Sequence, residues 1–156
     1  MARAQRLVVE RSGRFISARP RRAVSALEMI DRLAVDANVA IDFMRPNRPD
    51  PPPLHDARAV VLPLPAVGEL FAGAEQSNRN AENLAKVEEL LDWWKVLNPD
   101  TETARVYGRL RRSEALAGAA RVNDLWIAAL CIRYDIPLLT GDYGFDVIAE
   151  LKVIHW

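Results

Sequence analysis

The sequence predicts an α/β domain, a mostly parallel five-stranded sheet flanked by helices. Three observations carry this. Short apolar runs recur along the chain. The segments between them repeat apolar residues at the i, i+3, i+4, i+7 spacing of a helix buried on one side. The runs are continuous in apolar character instead of alternating, as strands are when helical connections cover both faces of a parallel sheet. At 156 residues, half of them apolar, the chain fits one domain with a substantial core.

In chain order, Leu33-Ala34-Val35 is the first strand and ends at Asp36, and a short helix runs from Asn38 to Met44. A proline-rich loop covers 46–53. Ala59-Val60-Val61-Leu62 is the second strand. A helix begins near Pro65, because the first helical turn leaves its N–H groups unpaired and proline has none to waste. Its stripe is Val67, Leu70, Phe71 and Ala74. A further helix over about 80–95 holds Leu84, Val87, Leu90, Leu91 and Trp94 in phase. Val96-Leu97 is the third strand, and an arginine-rich helix spans about 100–117. Another starts at Asn123 and runs to Tyr134, apolar nearly all round and therefore buried. The fourth strand is 136–140, with Pro137 restricted to its start, and the fifth is 152–155.

Residues 1–28 differ from the rest. Leu7-Val8-Val9-Glu10 and Phe15-Ile16-Ser17 flank Arg11-Ser12-Gly13-Arg14 in the pattern of a small hairpin, and an Arg-Pro-Arg-Arg stretch follows at 19–22. This segment holds seven Arg and two Glu, a net +5. The whole chain is formally neutral, so the remainder carries −5. We expect a basic N-terminal extension (1–28) and a domain over 29–156. The body does not advertise nucleic-acid binding by bulk charge, so any such binding must come from local patches. No apolar stretch approaches the roughly 20 residues of a membrane span, and no apolar block follows the N-terminal arginines as in a secretory signal. Cys131, the single cysteine, cannot form an intrachain disulfide and suits core packing. A cytoplasmic protein is expected.

Four acids stand out by position. Asp36 and Asp142 directly follow strands, where a doubly wound sheet builds its ligand crevice. Asp36 serves equally well as a helix cap. Asp124 is the second residue of an otherwise apolar helix. The helix dipole favours a carboxylate there and Asn123 can cap, yet an Asn-Asp pair is more polarity than one buried helix end needs. Glu69 lies off its helix's apolar stripe among Gly68, Ala72 and Gly73, small residues that let other backbone approach. Carboxylates brought together raise one another's pKa unless a cation neutralises them, and an all-oxygen set suits Mg²⁺ or Mn²⁺ over zinc. Only His55 and His155 exist, the first in the proline-rich loop, so histidine-based acid–base chemistry is poorly supported. The chain has no phosphate-cradling glycine loop.

These segments together resemble the PIN domain, in particular the VapC-like toxins of bacterial and archaeal toxin–antitoxin pairs. The resemblance covers about Met29 to Trp156. It rests on Leu33-Ala34-Val35-Asp36-Ala37-Asn38, Glu69-Leu70-Phe71-Ala72-Gly73, Asn123-Asp124-Leu125-Trp126-Ile127-Ala128-Ala129 and Leu139-Thr140-Gly141-Asp142-Tyr143-Gly144-Phe145, by their order and spacing more than by any one of them. It implies the sheet order 3-2-1-4-5. It implies one catalytic metal site of Asp36, Glu69, Asp124 and Asp142, supported by Asn38 and Thr140, and a metal-dependent endoribonuclease in which one or two Mg²⁺ (or Mn²⁺) ions assist phosphodiester hydrolysis. It further implies an RNA substrate, a VapB-like antitoxin and a homodimer. Ala37 departs from the Thr or Ser common at its position, which removes a hydroxyl. The fourth acid is the family's most variable, with Asp146 a nearby substitute for Asp142. Alternative readings are a housekeeping PIN ribonuclease in RNA processing and a catalytically silent PIN binding module, the latter opposed by the intact acid set.

Arg105, Arg109 and Arg112, at i, i+4, i+7 with Arg111 and Arg121 nearby, could contact RNA phosphates. Equally, they form a solvated face paired with Glu102 or Glu114. Trp93 suits an interface or base stacking, whereas Trp94 belongs to the core.

Overall fold

A computed structural model describes residues 30–113 and 122–156. The expected hairpin and the rest of the basic segment, the end of the arginine-rich helix, Glu114 and Arg121 lie outside the described residues. β1 (Ile30–Val35) occupies the centre of a five-stranded sheet with β2 (Ala57–Pro63), β3 (Lys95–Leu97), β4 (Leu138–Thr140) and β5 (Val153–His155). The order is β3-β2-β1-β4-β5 and every neighbouring pair is parallel, the arrangement implied by the resemblance. Leu33, Ala34 and Val35 are all fully buried, without alternation, because helices cover both sides of the strand. The chain leaves β1 outward through β2 and β3, then returns to build β4 and β5 on the other side. This reversal puts the topological switch point at the carboxyl ends of β1 and β4, the place where open α/β sheets form their ligand crevice.

α1 (Ala37–Met44) follows β1 immediately. The proline-rich stretch, expected to be loop through residue 53, contains a short helix, α2 (Pro52–Asp56), because proline is well placed in a first helical turn. His55 therefore sits in α2. α3 (Leu64–Glu75) buries Val67, Leu70 and Ala74, with Phe71 partly covered, as its stripe requires. α4 (Asn80–Trp93) buries Val87 and Leu90. Trp94 caps it, buried with its ring centroid 4.7 Å from that of Phe43 on α1. α5 (Thr101–Arg111) packs on α6 (Val122–Tyr134), whose Leu125 and Ile127 through Cys131 are buried. Burial pushes the Cys131 thiol pKa up, and Asp36 adds to the shift.

α6 ends on Asp135 in the left-handed region (φ 51), with Ile136 N–H donating to the Cys131 carbonyl at 2.9 Å. β4 starts at Leu138, two residues later than the sequence suggests, because Pro137 has no N–H for the ladder. A 3₁₀ helix (Tyr143–Val147), not foreseen from sequence, joins β4 to β5 and buries Phe145.

Candidate active site

Asp36 stands at the crevice and is only 5% exposed. Its cap reading holds. One carboxylate oxygen, Oδ1, accepts from the Ala37 N–H (2.8 Å) and caps α1. The other, Oδ2, accepts from Thr140 Oγ1 (2.7 Å) and Asn38 Nδ2 (2.9 Å). Thr140, fully buried at the end of β4, also accepts from the Asp142 N–H (3.0 Å), and Asn38 Oδ1 accepts from the Gly141 N–H (3.1 Å). A Cβ on Gly141 would lie 3.3 Å from the Trp156 carbonyl, so a side chain there would force that backbone to shift. Asn38 and Thr140 thus hold the carboxylate from two elements. Ala37, in place of a hydroxyl residue, is buried and contributes its backbone N–H.

Burial raises the Asp36 pKa, and the negative charges of Glu69 and Asp124 raise it further, against the opposing hydrogen bonds from Thr140 and Ala37. Three acids from β1, α3 and α6 therefore share one electrostatic neighbourhood. Asn123 is the second residue of α6, not its cap; its amide donates to Glu69 Oε1 at 2.9 Å, tying α6 to α3. The surplus polarity of the Asn-Asp pair was the sequence signal for this bond. Among the described residues, a Cβ on Gly68 or Gly73 would meet nothing within 4 Å, so the expected close backbone approach beside Glu69 is not found there.

Asp142 joins the site through its backbone. Its carboxylate caps the 3₁₀ helix, with Oδ1 accepting from the Gly144 N–H at 2.7 Å. Asp146, the proposed substitute, is bonded instead to His155 Nε2 at 2.7 Å. Arg105 pairs with Glu102 (3.2 Å), as the solvated-face reading has it, and Arg109 with Glu150 (2.7 Å), while Arg112 is exposed just beyond α5. Exposed pairs of this kind contribute little. Trp93 is 56% exposed, but it precedes β3 and so lies at the amino edge of the sheet, opposite the acids.

Among the described residues, no three His, Cys, Asp or Glu side chains are grouped closely enough to hold a metal ion as placed. The donor set nonetheless fits a hard divalent cation in kind. Its atoms are carboxylate oxygens, and the buried Asp36 carboxylate feels further negative charge where a cation would relieve it.

Residues 33–151 match the PIN domain family. The chain is 36% identical over 93 residues to Ribonuclease VapC5 of Mycobacterium tuberculosis, covering 57% of this chain and 67% of that protein. Among solved structures it is similar to DNA-bound VapBC from Salmonella typhimurium (23% identity, 81% of this chain and 99% of that one, TM-score 0.70). It is also similar to VapBC-5 from Mycobacterium tuberculosis, a member of the VapBC family of toxin-antitoxin systems (25% identity, 80% and 98%, TM-score 0.62).

Proposed function

The chain belongs to the PIN-domain family, and from that premise we propose that it is the ribonuclease toxin of a VapBC-type pair, hydrolysing RNA phosphodiester bonds with Mg²⁺ or Mn²⁺. The observation that carries this reading is the Asp36 carboxylate, buried at the crevice with its pKa raised by burial and by Glu69 and Asp124. Three donors hold this carboxylate, yet among the described residues the charges acting on it are those of two further acids, Glu69 and Asp124.

Asp36 and Asp124 would hold the ion, with Glu69 and Asp142 completing the set. Thr140 and Asn38 keep Asp36 Oδ2 aimed into the crevice, and Asn123 keeps Glu69 from swinging into solvent. A bound divalent ion supplies Lewis acidity toward the phosphate and a lowered pKa for a water molecule. The chain's own part is to fix the carboxylates and to close the site from below with the buried ends of β1 and β4. A VapB-like antitoxin, motivated by the VapBC neighbours, and a homodimer, implied by the family resemblance, complete the reading.

The test is to incubate the pure protein with total cellular RNA and Mg²⁺ or Mn²⁺ and map the cut ends. Asp36→Asn and Asp124→Asn each remove a charge at nearly constant volume and should each abolish cleavage with the fold intact. Mn²⁺ should raise the melting temperature of the wild type and not that of Asp36→Asn. Undiminished cleavage by either variant, or full activity in EDTA, would sink the assignment. Expression of the chain alone should arrest growth, with relief by a co-expressed partner.

A further inference from the structure

Beside the acidic site stands an aromatic group that the proposed hydrolysis does not use. His155 is the cross-strand partner of Thr140 in the β4–β5 ladder. Its backbone therefore lies about one strand spacing, roughly 4.8 Å, from the residue whose hydroxyl holds Asp36. Its Nε2 is fixed by Asp146 (2.7 Å), and its ring stacks on Tyr143 with centroids 4.3 Å apart and planes 21° apart. Tyr143 opens the 3₁₀ helix directly after Asp142, whose carboxylate clamps the Gly144 N–H. The ring is thus held by its backbone on one side and by His155 on one face. It is nevertheless 71% exposed.

A large aromatic ring held this firmly, stacked on one face and open to solvent, is unusual as a surface residue and well suited to stacking. Asp142, Asp146 and His155 are fixed beside it, and Val147 on the same 3₁₀ turn and Trp156 next to His155 are exposed apolar residues. A nucleobase needs one flat surface and polar groups at its edges, and the ring with its bonded neighbours supplies both. Trp93, the sequence's candidate for stacking, lies at the wrong edge of the sheet; Tyr143 follows β4 at the same edge as Asp36.

We propose that Tyr143, backed by His155, is a stacking platform for one base of single-stranded RNA, adjoining the phosphate that the acidic site cleaves. The proposal rests on the ribonuclease reading. It implies that paired RNA binds poorly, because bases stacked within a duplex offer no free face to the ring.

The experiment uses the full chain carrying Asp36→Asn, so that RNA binds uncut. The probe is RNA spanning a cut site mapped with the wild type, with 2-aminopurine walked through successive positions. One position beside the cut should show fluorescence quenched on binding. Adding Tyr143→Ala should abolish that quenching and weaken binding about tenfold, and Tyr143→Phe should restore both. In the cleaving protein, Tyr143→Ala should raise KM with little change in kcat. Equal quenching and affinity in the Tyr143→Ala protein overturn the platform while leaving the ribonuclease reading intact. So does an unchanged RNA affinity accompanied by lost binding of a co-purifying protein, which would place the ring in a protein interface. If the wild type cuts no RNA, both readings fall together.

Discussion

Asp36 and Asp100 are the same residue in the same local role, each the N-cap of a helix, and their surroundings drive them in opposite directions. Asp100 accepts from the Thr103 N–H (2.7 Å) and from Thr103 Oγ1 (2.8 Å) and pairs with Arg133 (3.0 Å) across the α5–α6 seam. These donors, the Thr103 backbone first and its hydroxyl next, lower its pKa to about 2. Asp36 also accepts a capping N–H and two side-chain bonds, yet burial and the neighbouring acids raise its pKa. Capping alone therefore says nothing about function. What separates the two is first burial, which raises Asp36, and the Thr103 donors, which lower Asp100; the sign of the neighbouring charge comes second. Among the described residues, Asp100 has its arginine, whereas the charged groups acting on Asp36 are Glu69 and Asp124.

The strongest test of that contrast exchanges charge for amide at each position. Asp36→Asn should abolish RNA cleavage and leave the protein as stable at pH 7 or more so, because it removes a charge that the fold disfavours. Asp100→Asn should keep cleavage and lower the melting temperature by a few degrees, because it weakens the bond to Arg133. Cleavage assays beside urea unfolding curves decide both, and the comparison breaks if the two variants behave alike.

Thr140→Val sharpens it at one remove. The exchange keeps shape but takes the 2.7 Å donor from Asp36 Oδ2 and the acceptor from the Asp142 N–H. Supporting bonds to metal-site carboxylates commonly account for 10–100-fold in activity, and a loss of about that size is expected. The two lost bonds should also cost roughly 1–3 kcal/mol of stability. Activity is therefore to be measured where the variant is fully folded; an undisturbed rate there would remove Thr140 from the site.

The pH dependence of stability should carry opposite signs at the two aspartates. Asp100 is depressed, so its contribution is present above the unfolded value near 4 and is lost as pH falls toward about 2. Asp36 is raised, so the folded state favours its protonated form. Stability attributable to it is full below about pH 4 and declines as pH rises through its elevated pKa. Melting curves of Asp100→Asn should show a shallower acid decline than the wild type. Those of Asp36→Asn should lack the loss above pH 4. Parallel profiles in all three proteins would contradict the assignment.

The smallest effect concerns residues 1–28. We propose that this +5 segment is an extension outside the nuclease unit, since the family match begins at residue 33. A chain starting at Met29 should fold, bind Mn²⁺ and cleave RNA like the full chain. Insolubility or a collapsed melting temperature would make the segment part of the fold.

Much of this molecule was legible in its sequence because the signals were local or periodic. The continuous apolar runs of β1 and β2, the stripes of α3 and α4 and the all-round apolar α6 each follow from what a strand or helix must bury. The order of the sheet needed the resemblance, since strand neighbours are not a local property. Asp36 was visible through its place after a strand. Its partnership with Thr140, 104 residues away, was not derivable from spacing. Asn123 was misplaced by one residue of helix start, which turned a bond to Glu69 into an expected cap. Asp146 looked available until β5 brought His155 against it, and the prolines at 51–53 favoured a helical turn where a loop was expected.

The buried Cys131 turns the chain into its own stopwatch. It is the sole thiol in the sequence, and it sits at 1% exposure on α6, the helix that carries Asn123 and Asp124. A thiol reagent can reach it only when that helix leaves the core. The labelling rate therefore reports the opening of the acid-bearing helix, with no second sulfur to blur the record. Slower labelling with Mn²⁺ present would time how much a cation steadies that helix, without any RNA in the tube.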